Sequence, residues 1–169
     1  MGTNEASQSM QQGTGKWWAL VVCAAAVFAA ATVGGLFMRF SDRAWFDALR
    51  RPSWQPPDWL FGPVWTVLYT LMAFSAWAVF LRGRGPARSI ALGVFGLQLA
   101  LNAAWTGLFF YLELPGAAFA EIVALWCAIA ATIALFARVS ALAAWLLAPY
   151  WAWVTFAAAL NFAIWRLNA

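Results

Sequence analysis

The amino-acid sequence predicts an all-α membrane protein, a bundle of five transmembrane helices with a long Trp/Pro-rich loop between the first and second. Three observations carry this reading. Of 169 residues, 65% are hydrophobic and 9% charged, too little polar surface to solvate a globule of this length. Five stretches between charged residues can cross a hydrocarbon core of about 30 Å at roughly 1.5 Å of rise per helical residue. None of these stretches alternates apolar and polar residues as the strands of a membrane β-barrel do.

In chain order, residues 1–16 are polar and contain glycine, without the charged start, short apolar run and small-residue cleavage site of a signal peptide. They read as a disordered tail, leaving residues 17–169 as a single transmembrane domain. The spans are expected at about 17–38, 59–81, 89–112, 114–137 and 139–165. Loop one runs from Arg39 to Asp58, and loop two carries Arg82, Arg84 and Arg88 among the breakers Gly83, Gly85 and Pro86. The last two connections are tight turns around Glu113-Leu114-Pro115-Gly116 and Arg138, so the spans they join are antiparallel neighbours. Lys16, Arg82, Arg84, Arg88 and Arg138 fall on one side, and Arg39, Arg43, Arg50, Arg51 and Arg166 on the other. This five-to-five tie leaves the orientation open.

The residue inventory removes several chemistries. Cys23 and Cys127 lie inside apolar spans and read as small buried hydrophobes rather than a disulfide or metal pair. With no histidine in the chain, imidazole ligation of haem, His-type zinc sites and Ser-His catalysis are excluded. No metal, no resident cofactor and no nucleic-acid partner are expected.

Loop one is the exceptional segment. Between Trp45 and Trp65 it concentrates four tryptophans and four prolines, and prolines forbid regular helix or central strand there. It reads as a lid, formed by Trp45, Pro52, Trp54, Pro56, Pro57 and Trp59. Trp17, Trp18, Trp59, Trp145 and Trp165 sit at span ends, where an interfacial belt accounts for them. Trp65, Trp105, Trp126 and Trp153 lie deeper, where a belt does not.

Polar residues inside the spans point the same way, because each is costly in hydrocarbon unless it faces a partner or a cavity. Gln98, Asn102, Trp105 and Phe109 share a face of the third span, Tyr150, Trp153, Ala157 and Asn161 a face of the fifth, and Trp65, Tyr69, Met72 and Ala76 a stripe on the second. Glu121 is the acid within the fourth. Threading the chain up and down places Trp65, Trp105, Glu121 and Asn161 in one leaflet beneath loop one. That set forms either a ligand pocket or a group of interhelical hydrogen bonds that glue the bundle. Gly96, Ala100 and Ala104 form a ridge of small residues on the third span, suited to close approach of another helix, in a second subunit or within the bundle.

A run of motifs matches a known family. Trp45 with Leu49, Arg51-Pro52-Ser53-Trp54, Pro56-Pro57, Trp59, Phe61-Gly62-Pro63-Val64-Trp65, Leu68-Tyr69 and Met72 resemble the TspO/translocator protein (TspO/MBR) family, also called tryptophan-rich sensory proteins or peripheral benzodiazepine receptors. Gln98-Leu99-Ala100-Leu101-Asn102 with Trp105 and Phe109-Phe110 is similar to its third helix. Ala148-Pro149-Tyr150, Trp153, Phe156, Leu160-Asn161 and Trp165-Arg166 are similar to its fifth. The resemblance spans Trp17 to Asn168.

It implies a five-helix bundle, commonly a homodimer, that binds porphyrins and related tetrapyrroles and, in animal members, cholesterol and benzodiazepine-site ligands. The family's pocket maps onto Phe61, Gly62, Val64, Trp65, Asn102, Trp105, Trp153, Ala157, Leu160 and Asn161. Two positions depart: Phe162 stands where the animal sterol motif has tyrosine, and Ala117 where animal members carry a pocket tryptophan. The expected function is a sensor or regulator of tetrapyrrole or stress metabolism rather than an enzyme. The alternatives are a porphyrin or lipid transporter and a light-dependent porphyrin-degrading enzyme with Trp65 and Trp153 as redox candidates. An arginine-to-lysine ratio of nine to one suggests a bacterium, hence the bacterial cell membrane, with a bacterial or mitochondrial outer membrane as the alternative.

Overall fold

Inside hydrocarbon a spanning segment has no water to satisfy its backbone, so the apolar runs close their own hydrogen bonds as helices. A computed structural model describes the backbone of residues 2–169 and the side chains of residues 16–169. The tail expected to be disordered over residues 1–16 has, from residue 2, the helical backbone of α1, while residue 1 and the side chains of residues 2–15 lie outside the described residues. The elements are α1 (Gly2–Arg39), a short α2 (Arg43–Ala48), a single 3₁₀ turn (Asp58–Leu60), α3 (Phe61–Arg82), α4 (Gly85–Thr106), a π-helical turn (Gly107–Tyr111), α5 (Pro115–Ala137) and α6 (Ala141–Asn168). Five of them are long and apolar enough to cross a membrane, over Lys16–Arg39, Asp58–Arg82, Gly85–Tyr111, Pro115–Ala137 and Ala141–Asn168. The protein is an all-α, multi-pass membrane protein.

The spans pack as a closed ring in the order α1, α3, α6, α5, α4. The tight turns make α4 and α5, and α5 and α6, direct neighbours. By contrast α3 and α4, joined at Gly83-Arg84, meet only slightly because α1 sits between them. The ring encloses Leu68, Met72 and Val79 of α3, Phe95 and Leu99 of α4, Ile122, Leu125 and Ile129 of α5, and Leu147, Tyr150 and Val154 of α6. Polar bonds pin it at the end remote from loop one. Ser75 Oγ donates to the Ala143 carbonyl at 2.7 Å, and Arg82 donates to Ser140 Oγ at 2.6 Å, the residue that also caps α6.

Local chemistry sets the helix ends. Gly85 takes φ +61, a left-handed conformation that suits glycine, and Pro86 follows it in the first turn of α4, where its missing N–H is no loss. At the other end of that span the helix widens, with Leu112 N donating to the Gly107 carbonyl at 2.9 Å. Such π turns are uncommon and rotate the residues that follow. Gly107 allows a close approach here: a Cβ would stand 3.3 Å from the Phe37 ring of α1, which would have to give by a few tenths of an ångström.

Several expectations about individual side chains change. Trp17, Trp18 and Trp145 are exposed as interfacial anchors should be, whereas Trp165 is half-buried, stacks on Phe119 at 5.9 Å and fills the space over Gly116. Both cysteines are free, but Cys127 is exposed on the outer surface rather than buried, because it lies off the inward stripe Ile122-Leu125-Ile129. Gly96, Ala100 and Ala104 are exposed as well, so the small-residue ridge is not consumed by packing within the bundle.

Gly107→Leu should overpack the contact with Phe37 and cost about 1–3 kcal/mol. A thermal unfolding midpoint in detergent lower than that of the wild type, with helical content retained below the transition, is the expected result.

Candidate functional site

The site is built from loop one downward. Asp42 starts α2 by accepting the Ala44 N–H on Oδ1 at 2.8 Å, which presents Arg43 and Phe46 on the short helix that follows. Arg51 then ties the loop to itself. Its guanidinium lies 4.1 Å from the Phe46 ring centroid, donates to the Phe46 carbonyl at 2.7 Å, and reaches carboxylate oxygens of Asp47 at 3.4 Å and Asp58 at 3.9 Å. Pro52 to Gln55 form a turn closed by Gln55 N donating to the Pro52 carbonyl at 3.0 Å. Pro56 and Pro57 lead into the 3₁₀ turn, and Asp58 in that first turn suits the positive end of the helix dipole.

A second device fastens the loop to the bundle. Asn168, at the end of α6, accepts Arg50 N–H on Oδ1 and donates Nδ2 to the Arg50 carbonyl, both at 3.0 Å, as a neighbouring strand would. Aromatic edges complete the roof. Trp45 meets Phe109 at 6.1 Å, Phe46 meets Phe110 at 5.3 Å, and Trp54 meets Phe156 at 5.8 Å.

Under this roof lies a cavity of about 260 Å³. Phe61, Trp105, Phe109, Phe110, Ala157, Leu160 and Ile164 give it apolar walls, and Ser41, Arg43, Gln55, Asp58 and Asn161 a polar edge; Met38 and Phe46 close it. The π turn explains why the adjacent residues Phe109 and Phe110 both face inward. Asn161 joins three helices at the wall, accepting Trp105 Nε1–H of α4 at 3.0 Å and donating to the Pro115 carbonyl at the start of α5 at 2.8 Å.

Of the ten pocket residues expected from the sequence, Phe61, Trp105, Ala157, Leu160 and Asn161 line this cavity together. Trp153 stands one ring behind, with its edge against Phe61 at 5.7 Å. Val64, Trp65 and Asn102 belong to the bundle core instead. Trp65 stacks on Tyr69 at 5.1 Å and meets Tyr150 at 6.2 Å, while Asn102 accepts from Tyr69 OH at 3.0 Å and donates to Tyr150 OH at 3.2 Å. Gly62 is exposed on the outside of α3, because it lies on the opposite face from the inward stripe.

Loop one divides in the same way. Trp45 packs inward, Trp54 meets Phe156 but stays 49% exposed, and Pro52 and Pro56 are half-buried, whereas Pro57 is exposed and Trp59 is 72% exposed, away from the cavity. Phe46 and Gln55 form the actual inner surface of the roof. Glu121 is absent from the lining, and its carboxylate oxygens are buried without a hydrogen-bond partner among the described residues. Met38, Ser41, Phe46, Gln55, Asp58, Phe110 and Ile164 were not anticipated as wall residues; the one signal for Gln55 was its place between Trp54 and two prolines. A separate recess of about 400 Å³ opens outward between α5 and α6, where Trp126 donates to Thr155 Oγ1 at 2.8 Å. Trp126 therefore serves the outer surface, not the cavity. Among the described residues no cluster of three or more acidic, histidine or cysteine side chains stands ready to hold a metal.

Fold and site together define a five-helix membrane protein with a polar-edged aromatic cavity beneath an irregular Trp-Pro loop. The chain belongs to the TspO/MBR family, whose model matches residues 19–166. It is 43% identical over 145 residues to protein CrtK of Rhodobacter capsulatus, covering 83% of this chain and 88% of that one. It is 40% identical over 138 residues to the human translocator protein, covering 80% and 82%. A tryptophan-rich sensory protein of Cereibacter sphaeroides is 39% identical over 153 residues, covering 89% and 92%.

Asn168→Ala should release the Arg50 backbone, at about 1 kcal/mol for each hydrogen bond lost. Hydrogen exchange should quicken about fivefold or more across residues 43–57 while the spanning helices keep their protection.

Proposed function

We propose that the cavity beneath loop one binds porphyrins or related tetrapyrroles, and that occupancy changes the position of the loop or its contact with a partner. The protein then acts as a sensor or regulator of tetrapyrrole or stress metabolism. The observation that carries this reading is the pairing of an aromatic slot with a polar edge that carries a guanidinium: Phe61, Trp105, Phe109 and Phe110 offer ring faces and edges, and Arg43 lines the edge, whose one acid, Asp58, is faced by Arg51. A porphyrin is a flat, polarisable disc with two carboxylates on one side. Aromatic walls favour the disc by offset or edge contact, and a guanidinium suits a carboxylate. The sensory name of the Cereibacter relative agrees with this role.

Movement of a porphyrin or lipid across the membrane is the second reading, favoured by the name of the human relative. The continuous courses of α3, α5 and α6 support it less, since alternating access generally uses broken helices and inverted repeats. Porphyrin flux into liposomes separates it from sensing. A light-dependent breakdown of the ligand would draw on Trp153, which is one ring away through Phe61, more readily than on the deeper Trp65.

The exposed ridge Gly96, Ala100 and Ala104 supports a homodimer formed through α4, because small residues let two helix backbones approach closely. Crosslinking in lipid should trap a dimer, and recovery of monomer alone would remove the assignment. The bacterial cell membrane is the proposed location.

Ala157 puts a small side chain on the cavity wall that Phe61 and Leu160 also line. Ala157→Trp should fill cavity space and abolish saturable quenching of tryptophan fluorescence by protoporphyrin; unchanged quenching would sink the pocket assignment.

A further inference from the structure

We propose that Gln55 selects the ligand, its Oε1 accepting a hydrogen bond from an N–H or O–H donor on the ligand's polar edge. This rests on the reading of the cavity as the binding site for a flat, largely apolar molecule.

The polar side chains along the cavity are not equally available. Asn161 is occupied on both sides by Trp105 and Pro115. The Ser41 hydroxyl gives its proton to the Met38 carbonyl at 2.7 Å. Asp58 faces Arg51 with one oxygen and takes Gln55 Nε2–H on the other at 3.4 Å. Gln55 Oε1 is different: it lines the cavity, is closed off from solvent and has no hydrogen-bond partner among the described residues.

Which end of that amide faces the cavity follows from chemistry. A carboxylate only accepts, so the amide nitrogen must turn toward Asp58 and the oxygen away from it. The backbone holds the group in place. The Pro52–Gln55 turn is closed at 3.0 Å, and the proline that follows Gln55 restricts it to extended conformations. Arg51 in turn braces Asp58 from the far side.

A buried acceptor with no donor costs free energy until one arrives. An acyl chain from the surrounding bilayer brings none, so its entry leaves that cost in place. A ligand whose edge carries an amide, a lactam or a protonated acid removes it, and an adjoining anion meets Arg43. The same group thus favours the right ligand and disfavours lipid tails, the commonest competitor inside a membrane.

The test uses the full chain in lipid nanodiscs with two neutral derivatives of protoporphyrin: the diamide, which has N–H donors on both side arms, and the dimethyl ester, which has none. The wild type should bind the diamide about fivefold more tightly. Gln55→Met should weaken the diamide about fivefold, the equivalent of one neutral hydrogen bond of about 1 kcal/mol, and leave the ester unchanged. Ester binding by the variant also shows that the cavity is intact. Equal losses for both derivatives would mean that Gln55 acts only through the shape of the loop, and no loss for either that water answers the acceptor; each overturns the assignment while leaving the cavity reading standing. Failure of the wild type to bind either derivative overturns the cavity reading and this assignment together.

Discussion

The structure turns on one side chain, Asn161, because it is the point at which three spanning helices agree on their depth in the membrane. From α6 it accepts the indole N–H of Trp105 on α4 and donates to the Pro115 carbonyl that opens α5. Each of those groups would be orphaned in hydrocarbon: an indole N–H inside a span and an asparagine amide have no water to turn to. Mutual satisfaction fixes the relative height of α4, α5 and α6, and with it the wall on which Ala157, Leu160 and Trp105 stand. The cavity exists where it does because this wall is rigid.

Loop one obeys a different constraint. It lies at the membrane surface, where prolines deny it regular structure, so its shape has to come from side chains. Arg51 supplies most of that shape by spanning from Phe46 and Asp47 to Asp58, which brings the two halves of the loop together across the Pro-rich turn. Exposed ion pairs of this kind are individually weak, about 0–1 kcal/mol. The planar guanidinium compensates by combining a carbonyl hydrogen bond, a ring contact and two carboxylates in one place. Lysine offers no such fork. The loop is consequently a preformed cap rather than a slack connector.

The spans were legible in the sequence because hydrocarbon imposes one answer on a long apolar run, and the leaflet shared by Trp105 and Asn161 followed from counting turns. What escaped depends on tertiary structure. Gly107-Leu108-Phe109-Phe110-Tyr111 reads as ordinary helix, yet it widens into a π turn where Gly107 meets Phe37, and within that turn Phe109 and Phe110 both line the cavity. Trp65 and Asn102 had the depth and polarity of pocket residues, but a hydroxyl on each side of Asn102 and a tyrosine under Trp65 draw both into the core. Trp59 and Trp54 look alike in a string of letters. Trp59 is 72% exposed, while Trp54, held within the Pro52–Gln55 turn and 49% exposed, sets its edge on Phe156 of the helix below.

The cavity, about 260 Å³, is smaller than the roughly 300–1,000 Å³ typical of small-molecule sites. On the proposed reading, a tetrapyrrole disc would enter only as loop one lifts, and the contacts would then divide into those that travel with the loop and those that part. The Arg51 set is internal to the loop and travels. Asn168 with Arg50, Trp45 with Phe109, Phe46 with Phe110, and Trp54 with Phe156 cross to the bundle and resist. Three of these four are aromatic pairs, each about 0.5–1.5 kcal/mol beyond simple burial. A flat aromatic ligand slid between their partners replaces ring edges with its own face, so much of what opening costs is returned by the molecule that causes it. An aliphatic lipid tail returns far less. On that reading, selectivity for a conjugated ring would arise from how the roof is fastened as well as from the walls beneath it.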